Sequence, residues 1–328
     1  MPVHPPSRRL FLAAAAAAAA ATLAAPRLSL AGAPAVTLLE GAAFGTGWQV
    51  ALPAGTDAEG LRAPLAALLD GIDRQMSPWR ADSDITRFNR ADPGARPVPE
   101  ETARVAAAAL AIAADSGGRF DPSVGPLVAR WGFGPIEGDE RPDWRALSAG
   151  NGHLSKTRAG LTFDLCGIAK GHALDRMAAL LRERGHGDFL IDFGGDLIAS
   201  GLHPEGRGWR VAVEDPRPAA TGLAARLQPG AMAVATSGPR AQGYALDGRV
   251  WGHIMDPATG APVEGGPASV TVLAPTALAA DGWATALAAA GADGPALAAR
   301  QGIAALFLLR DGDGLRQVAV GDMARHLV

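Results

Sequence analysis

Apolar residues recur along this chain at two spacings, and the spacing changes several times. Over residues 36–52 they alternate with polar or small residues on either side of Phe44-Gly45, the pattern of two paired strands joined by a glycine turn. The period then changes. Leu61, Leu65, Leu68, Leu69, Ile72 and Met76 fall mostly three or four apart, which predicts a helix over 57–76. Residues 77–90 are polar and read as a loop. An alanine-rich helix is predicted over 99–115, stopped by Gly117-Gly118. Residues 119–135 are so punctuated by glycine and proline that neither period holds, and they read as a loop-rich connection.

The second half repeats this alternation. Residues 161–165 read as a short strand. A loop at Gly167 leads into a helix with Leu174, Met177, Ala178 and Leu181 on one face and Gly185 at its C-terminal end. Residues 189–193 form a strand, and Gly194-Gly195-Asp196 turns the chain into another. Short strands follow over 209–215, 232–238, 249–256 and 269–275. A helix is expected over 276–291, with Thr276 as its N-cap. Two apolar segments, 303–310 and 317–320, close the sheet. Strand–helix–strand order predicts a layered α/β or α+β fold. No repeat of 20–50 residues is visible.

Composition narrows the class. The chain has 328 residues, 48% hydrophobic and 19% charged, enough to build a sizeable core. Its net charge is -3 and no run of five like charges occurs, so no nucleic-acid surface is indicated. Cys166 is the only cysteine, which excludes an internal disulfide and a cysteine-based zinc site. The N-terminus carries Arg8-Arg9, then an apolar stretch over 10–25 ending in small residues around Ser29-Leu30-Ala31. This is the pattern of a secretory leader, and the arginine pair points to the twin-arginine (Tat) route and the periplasm. Residues 1–31 are expected to be that leader and 36–328 one soluble domain, with no membrane span in the mature chain.

Six acids stand beside glycines or at strand ends: Asp121, Asp164, Asp192, Asp196, Asp256 and Asp281. Singly, such residues are usually caps or turn formers. The dinucleotide and phosphate-loop glycine patterns, HExxH and GxSxG are all absent. Two spacings remain. In the segment 164–175, DLCGIAKGHALD, an acid, a glycine turn and Lys170 precede a helix, an arrangement that offers an anion or metal site at the helix N-terminus. In ADGWAT, 280–285, Asp281 and Thr285 share one helical face and supply hard oxygen ligands suited to Mg²⁺. Each also has a plain reading, as a surface first-turn lysine with a capping acid and as a polar helix stripe.

Taken together, FGTGWQV, MSPWRADSDITRFN, GGRFDPSVGPLVARWGFGP, DLCGIAKGHALD, FLIDFGGDLIASG, AVATSG, HIMDPATGAPV and SVTVLAPTALAADGWATAL resemble, in order, the motifs of the FAD:protein FMN transferases of the ApbE family. The resemblance covers residues 40–300. It implies a two-lobed fold with FAD, the substrate, in the cleft between lobes. It also implies Mg²⁺-dependent transfer of FMN to a Thr or Ser hydroxyl of an acceptor protein, expected to be an exported respiratory flavoprotein subunit, with release of AMP. Carried over by motif, Asp281, Thr285 and the Gly167 carbonyl would hold the metal. Phe44, Trp79, Arg119, Phe120, Asp121, Asp164, Lys170, Ile254 and Met255 would line the FAD site, and His253 would be the general base, a role its ordinary titration range suits. Departures include Phe44 for a usual Met, Pro78 for Thr, Cys166 for Ser, the large Arg119, and Ala284 where some members carry a second acid, which favours one metal ion over two. FAD hydrolysis by the same site, or FAD binding with little turnover, are the other readings the residues leave open.

Overall fold

The computed structural model describes residues 36–217, 220–239, 243–246 and 249–328. The expected leader lies outside the described residues.

Eight strands form one sheet whose spatial order follows the chain: β1 (Val36–Ala43), β2 (Thr46–Pro53), β3 (Phe189–Phe193), β4 (Asp196–Ser200), β5 (Ala233–Ser237), β6 (Ser269–Ala274), β7 (Ala304–Asp311) and β8 (Gly314–Val320). Every neighbouring pair is antiparallel, so the fold is α+β rather than a parallel α/β sheet. Alternation on β7 shows how the sheet divides the core. Ala305 and Phe307 join the large cluster on one face, while Leu306 and Leu308 join a smaller one on the other with Val211, Val213, Leu227 and Met323. β6 is buried along its whole length because both of its faces are covered.

Helices cover the first face. α1 (Glu59–Met76), α2 (Asp84–Arg90), α3 (Glu100–Asp115), α4 (Gly125–Arg130) and α5 (Ala169–Glu183) all lie between β2 and β3 in sequence. α6 (Ala277–Ala289) and α7 (Gly294–Gln301) lie between β6 and β7. α6 packs against α3, α5, β5 and β6, so it is the buried centre of this layer. The opposite face is covered by the strand pair 211–214 and 223–227 and by the C-terminal turn over 321–326.

The predicted helices over 57–76, 99–115 and 276–291 are present, and Thr276 caps α6 by accepting from Ala279 N. Three expectations differ from the structure, the first being the loop-rich reading of 119–135, which contains α4. The segment read as a loop over 77–90 contains α2, nucleated by Ser83, whose hydroxyl accepts from Thr86 N and donates to the Ser77 carbonyl. The segment 161–165 is not a strand. Its backbone groups are taken by side chains instead: Asn89 bridges both Phe163 N and Phe163 O, and the buried Lys156 ammonium donates to the Leu161 and Asn89 carbonyls. This truss carries the chain into the Gly167 turn.

Candidate active site

Four elements meet at the N-terminus of α5. The 166–168 turn brings Gly167 against α6: a Cβ added there would lie 3.3 Å from Thr285 Oγ1 and 3.2 Å from the Phe120 ring. Thr285 Oγ1 is 3.4 Å from Ser237 Oγ at the end of β5. One turn earlier on α6, Asp281 is buried and its Oδ2 accepts from Gly171 N at 2.9 Å. Lys170 Nζ donates to Asp196 Oδ2 at 2.5 Å, and Asp196 Oδ1 accepts from Thr236 N at 3.3 Å. Asp196 begins β4 and its side chain is 2% exposed.

The charges do not balance. Burial pulls Lys170 down, but Asp196, Asp281 and Asp192 outweigh it and leave the ammonium above its usual range. Burial pushes Asp196 up against the pull of Lys170. Asp281 fares worse: burial and the Asp196 charge push its carboxyl up to about 7, with Lys170 and Gly171 opposing. A single lysine is thus shared among three carboxylates, an imbalance that a proton on Asp281 or a further cation would relieve. Asp281 and Thr285 offer a carboxylate and a hydroxyl oxygen from one face of α6, with Gly167 packed beside Thr285. Among the described residues, no group of three or more His, Cys, Asp or Glu could hold a metal. Few protein ligands of hard oxygen type fit Mg²⁺, which keeps waters or phosphate oxygens in its remaining positions.

Of the other predicted residues, Asp164 and Phe120 adjoin the Gly167 turn, and the rest lie on other segments. Asp164 accepts from Cys166 N at 3.0 Å and burial raises its carboxyl. Cys166 is solvent-exposed, yet the surrounding protein and the Asp164 and Asp281 charges hold its thiol well above the usual range, which argues against a reactive thiolate. Phe44 occupies the β1–β2 turn with φ 52°, its ring 5.3 Å from Phe193. Phe120 is buried. Asp121 is buried too, and its Oδ1 accepts from Ser123 N and Oγ, so it shapes the 119–125 loop. Arg119 pairs with Asp293 at 3.2 Å and approaches Asp256 at 3.8 Å, tying that loop to the segment holding Met255. A cavity of about 330 Å³ opens there, lined by Arg119, Asp256, Pro262, Val263 and Gly291. A second cavity, of about 490 Å³, is lined by Arg217, Arg310 and Asp313 and holds none of the predicted residues.

His253 sits beside an aromatic group. Its ring meets Phe133 edge-on at 6.3 Å, Phe133 stacks on Tyr244 at 5.2 Å, and Trp131 packs on Trp251 at 5.1 Å. The loop-rich 119–135 segment therefore holds the His253 segment in place. Ile254 is half-buried, its carbonyl accepting from Val263 N, and Met255 is buried. Trp79 stands on the turn between α1 and α2, 68% exposed. No role was expected of Asp196, Ser237 or Gly171 from the sequence. Asp196 was visible as a glycine-flanked acid, but nothing along the chain links it to Lys170.

A family model described as the ApbE family matches residues 44–307. The chain is 36% identical over 306 residues to the FAD:protein FMN transferase of Klebsiella pneumoniae (strain 342), covering 87% of each protein. It is 34% identical over 313 residues to that of Escherichia coli (strain K12), covering 89% of each. Among solved structures, a histidine-to-glycine mutant of the flavin transferase ApbE from Vibrio cholerae superposes with a TM-score of 0.81 at 30% identity, over 89% of this chain and 100% of that one. The apo form of the Pseudomonas stutzeri flavinyl transferase ApbE gives 0.79 at 33% identity, over 89% and 96%.

Proposed function

Because this chain belongs to the ApbE family, we propose that it is an FAD:protein FMN transferase working at the crossing of α5 and α6. The observation that carries this reading is the meeting of Gly167, Thr285, Asp281 and the Lys170–Asp196 pair around a deficit of positive charge. Asp281, Thr285 and the Gly167 carbonyl would hold Mg²⁺, which when bound neutralises pyrophosphate charge and polarises the reacting phosphoryl group. FAD is the substrate. Phe44, Trp79, Arg119, Phe120, Asp121, Asp164, Ile254 and Met255 contribute to its pocket, and Lys170 adds fixed positive charge beside the pyrophosphate.

His253 acts as general base. It accepts the proton of an acceptor Thr or Ser hydroxyl while that oxygen bonds to the FMN phosphorus, the pyrophosphate P–O bond breaks, and AMP leaves with the displaced oxygen. The edge contact with Phe133 keeps the ring from turning away. His253→Ala is expected to lower kcat for transfer about 10²–10⁴-fold with FAD binding retained. Wild-type kcat in that variant would remove His253 from the mechanism.

The deciding experiment incubates the purified protein with FAD, Mg²⁺ and an acceptor flavoprotein domain. Covalently fluorescent acceptor with stoichiometric AMP supports transfer. FMN and AMP without labelled acceptor would replace it with hydrolysis, and unchanged FAD would leave a binding protein.

The reaction is assigned to the periplasm, on the strength of Arg8-Arg9 and the apolar stretch after them. An Arg8→Lys, Arg9→Lys double variant is expected to accumulate in the cytoplasm on fractionation. Undiminished export would rule out the twin-arginine route.

A further inference from the structure

α6 carries both side chains assigned to the metal, yet most of it is alanine and glycine. Ala277, Ala280, Gly282, Ala284, Ala286 and Ala288 are all buried. Small residues let neighbouring backbones come close, but they present few knobs to fix a helix along its own axis. Directional bonds add to the register that Trp283 and Leu287 give, and two sets of them join α5 to α6. One is Gly171 N donating to Asp281 Oδ2. The other lies one turn further along α5. Asp175 Oδ1 accepts from Ala277 N at 2.8 Å and Asp175 Oδ2 accepts from Leu278 N at 2.9 Å.

Ala277 and Leu278 begin α6, and their amides have no partner within the helix. The next amide, Ala279 N, is taken by the Thr276 hydroxyl. A carboxylate spanning two first-turn amides at the positive end of a helix is a charge-assisted clamp with a defined direction. It fixes α6 against sliding and against rotation, because both oxygens are used.

We propose that Asp175 is a positioning residue for the cation. By holding the N-terminus of α6 on α5, it sets Asp281 and Thr285 at the reach required by a divalent ion also bound to the Gly167 carbonyl. This rests on the metal reading above. A small hard cation demands oxygen ligands at roughly 2.0–2.1 Å in a nearly fixed geometry, so a slight slip of α6 weakens binding before it unfolds anything. Asp175 touches neither the ion nor the substrate; it acts through Asp281 and Thr285.

The test titrates Mn²⁺, a paramagnetic stand-in for Mg²⁺, into the full-length protein with FAD and no acceptor, and reads free ion by electron paramagnetic resonance. Asp175→Asn keeps the side-chain shape but turns one acceptor oxygen into an N–H donor facing a backbone amide. Met323→Ala serves as a stability control, since Met323 is buried in the cluster on the far side of the sheet. Asp175→Asn is expected to weaken Mn²⁺ about 10–100-fold, the range seen when the support of a metal ligand is lost. Met323→Ala is expected to lower the thermal midpoint at least as much and leave Mn²⁺ affinity unchanged. With Mg²⁺ and acceptor, Asp175→Asn should raise the Mg²⁺ needed for half-activation while kcat at saturating Mg²⁺ stays close to wild type. Equal Mn²⁺ affinity in wild type and Asp175→Asn overturns the proposal, and so does equal weakening in Met323→Ala. If Asp281→Ala binds Mn²⁺ as well as wild type does, the metal reading falls first and the Asp175 role with it.

Discussion

Asp281→Asn should abolish transfer and, in the metal-free protein at pH 8, make the fold more stable. The loss follows from removing the carboxylate assigned to the cation, and is expected to be about 10²–10³-fold or more in kcat. The gain follows from the charge deficit. Asp281 has a folded pKa of about 7 against an ordinary value of 3.8, so between these limits the folded chain holds a proton that the unfolded chain has released. The stability this group contributes is complete below pH 4 and is lost as pH rises through 7. The substituted amide carries no charge to desolvate, still offers an oxygen to Gly171 N, and leaves Lys170 balanced by Asp196. The expected advantage over wild type at pH 8 is about 1–3 kcal/mol, or roughly 3–8 °C in thermal midpoint. At pH 4 the advantage should vanish. Added Mg²⁺ should raise wild type and not the variant. Thermal scans with chelator at pH 4 and 8 would refute the argument if the two proteins kept a constant difference.

Gly171→Ala is the second large effect. A Cβ at Gly171 would lie 2.2 Å from the Ala277 carbonyl oxygen, 2.6 Å from its carbon and 2.8 Å from Asp281 Cβ. Two of these are backbone atoms, so no side chain can swing aside and α5 must move off α6. Alanine's helix preference returns at most about 1 kcal/mol. The net cost is expected to be about 2–4 kcal/mol, and the separation would also break the Gly171–Asp281 bond and disperse the site. Gly71→Ala is the contrast. It too lies inside a helix, but its Cβ would meet nothing within 4 Å. That substitution should stabilise by about 0.5–1 kcal/mol with activity intact. Denaturant midpoints for the two variants would contradict the close-approach argument if they moved in the same direction.

The long helices were legible because each repeats its apolar face over several turns, as Leu61 to Met76 does. α2 was not. Its seven residues bury only two apolar side chains, Ile85 and Phe88, too few for a period, and its one clear mark is the Ser83 cap. The strand expected over 161–165 misled for a different reason. Its alternating Leu161, Phe163 and Leu165 are buried as a strand's would be, but Asn89 and Lys156 replace the neighbouring strand. In the site, Asp281 and Thr285 could be paired from spacing alone because one helix carries both. Lys170 and Asp196 are 26 residues apart on different elements, and only the packing of α5 on the sheet joins them. The residues proposed for the substrate pocket come from family resemblance alone, since Phe44, Arg119 and His253 share no local spacing.

The sheet's strand order bears on how the chain is made. β1 and β2 leave the ribosome early, but the partner of β2 is β3, and residues 54–188 come between them. At ordinary synthesis speeds that interval lasts on the order of ten seconds. Throughout it, the β2 edge with Val50 and Leu52, both wholly buried in the finished sheet, has no neighbour to pair with. No other neighbouring strands of this sheet are separated by so long a stretch, and a chaperone that recognises extended apolar segments would find its target at the β2 edge.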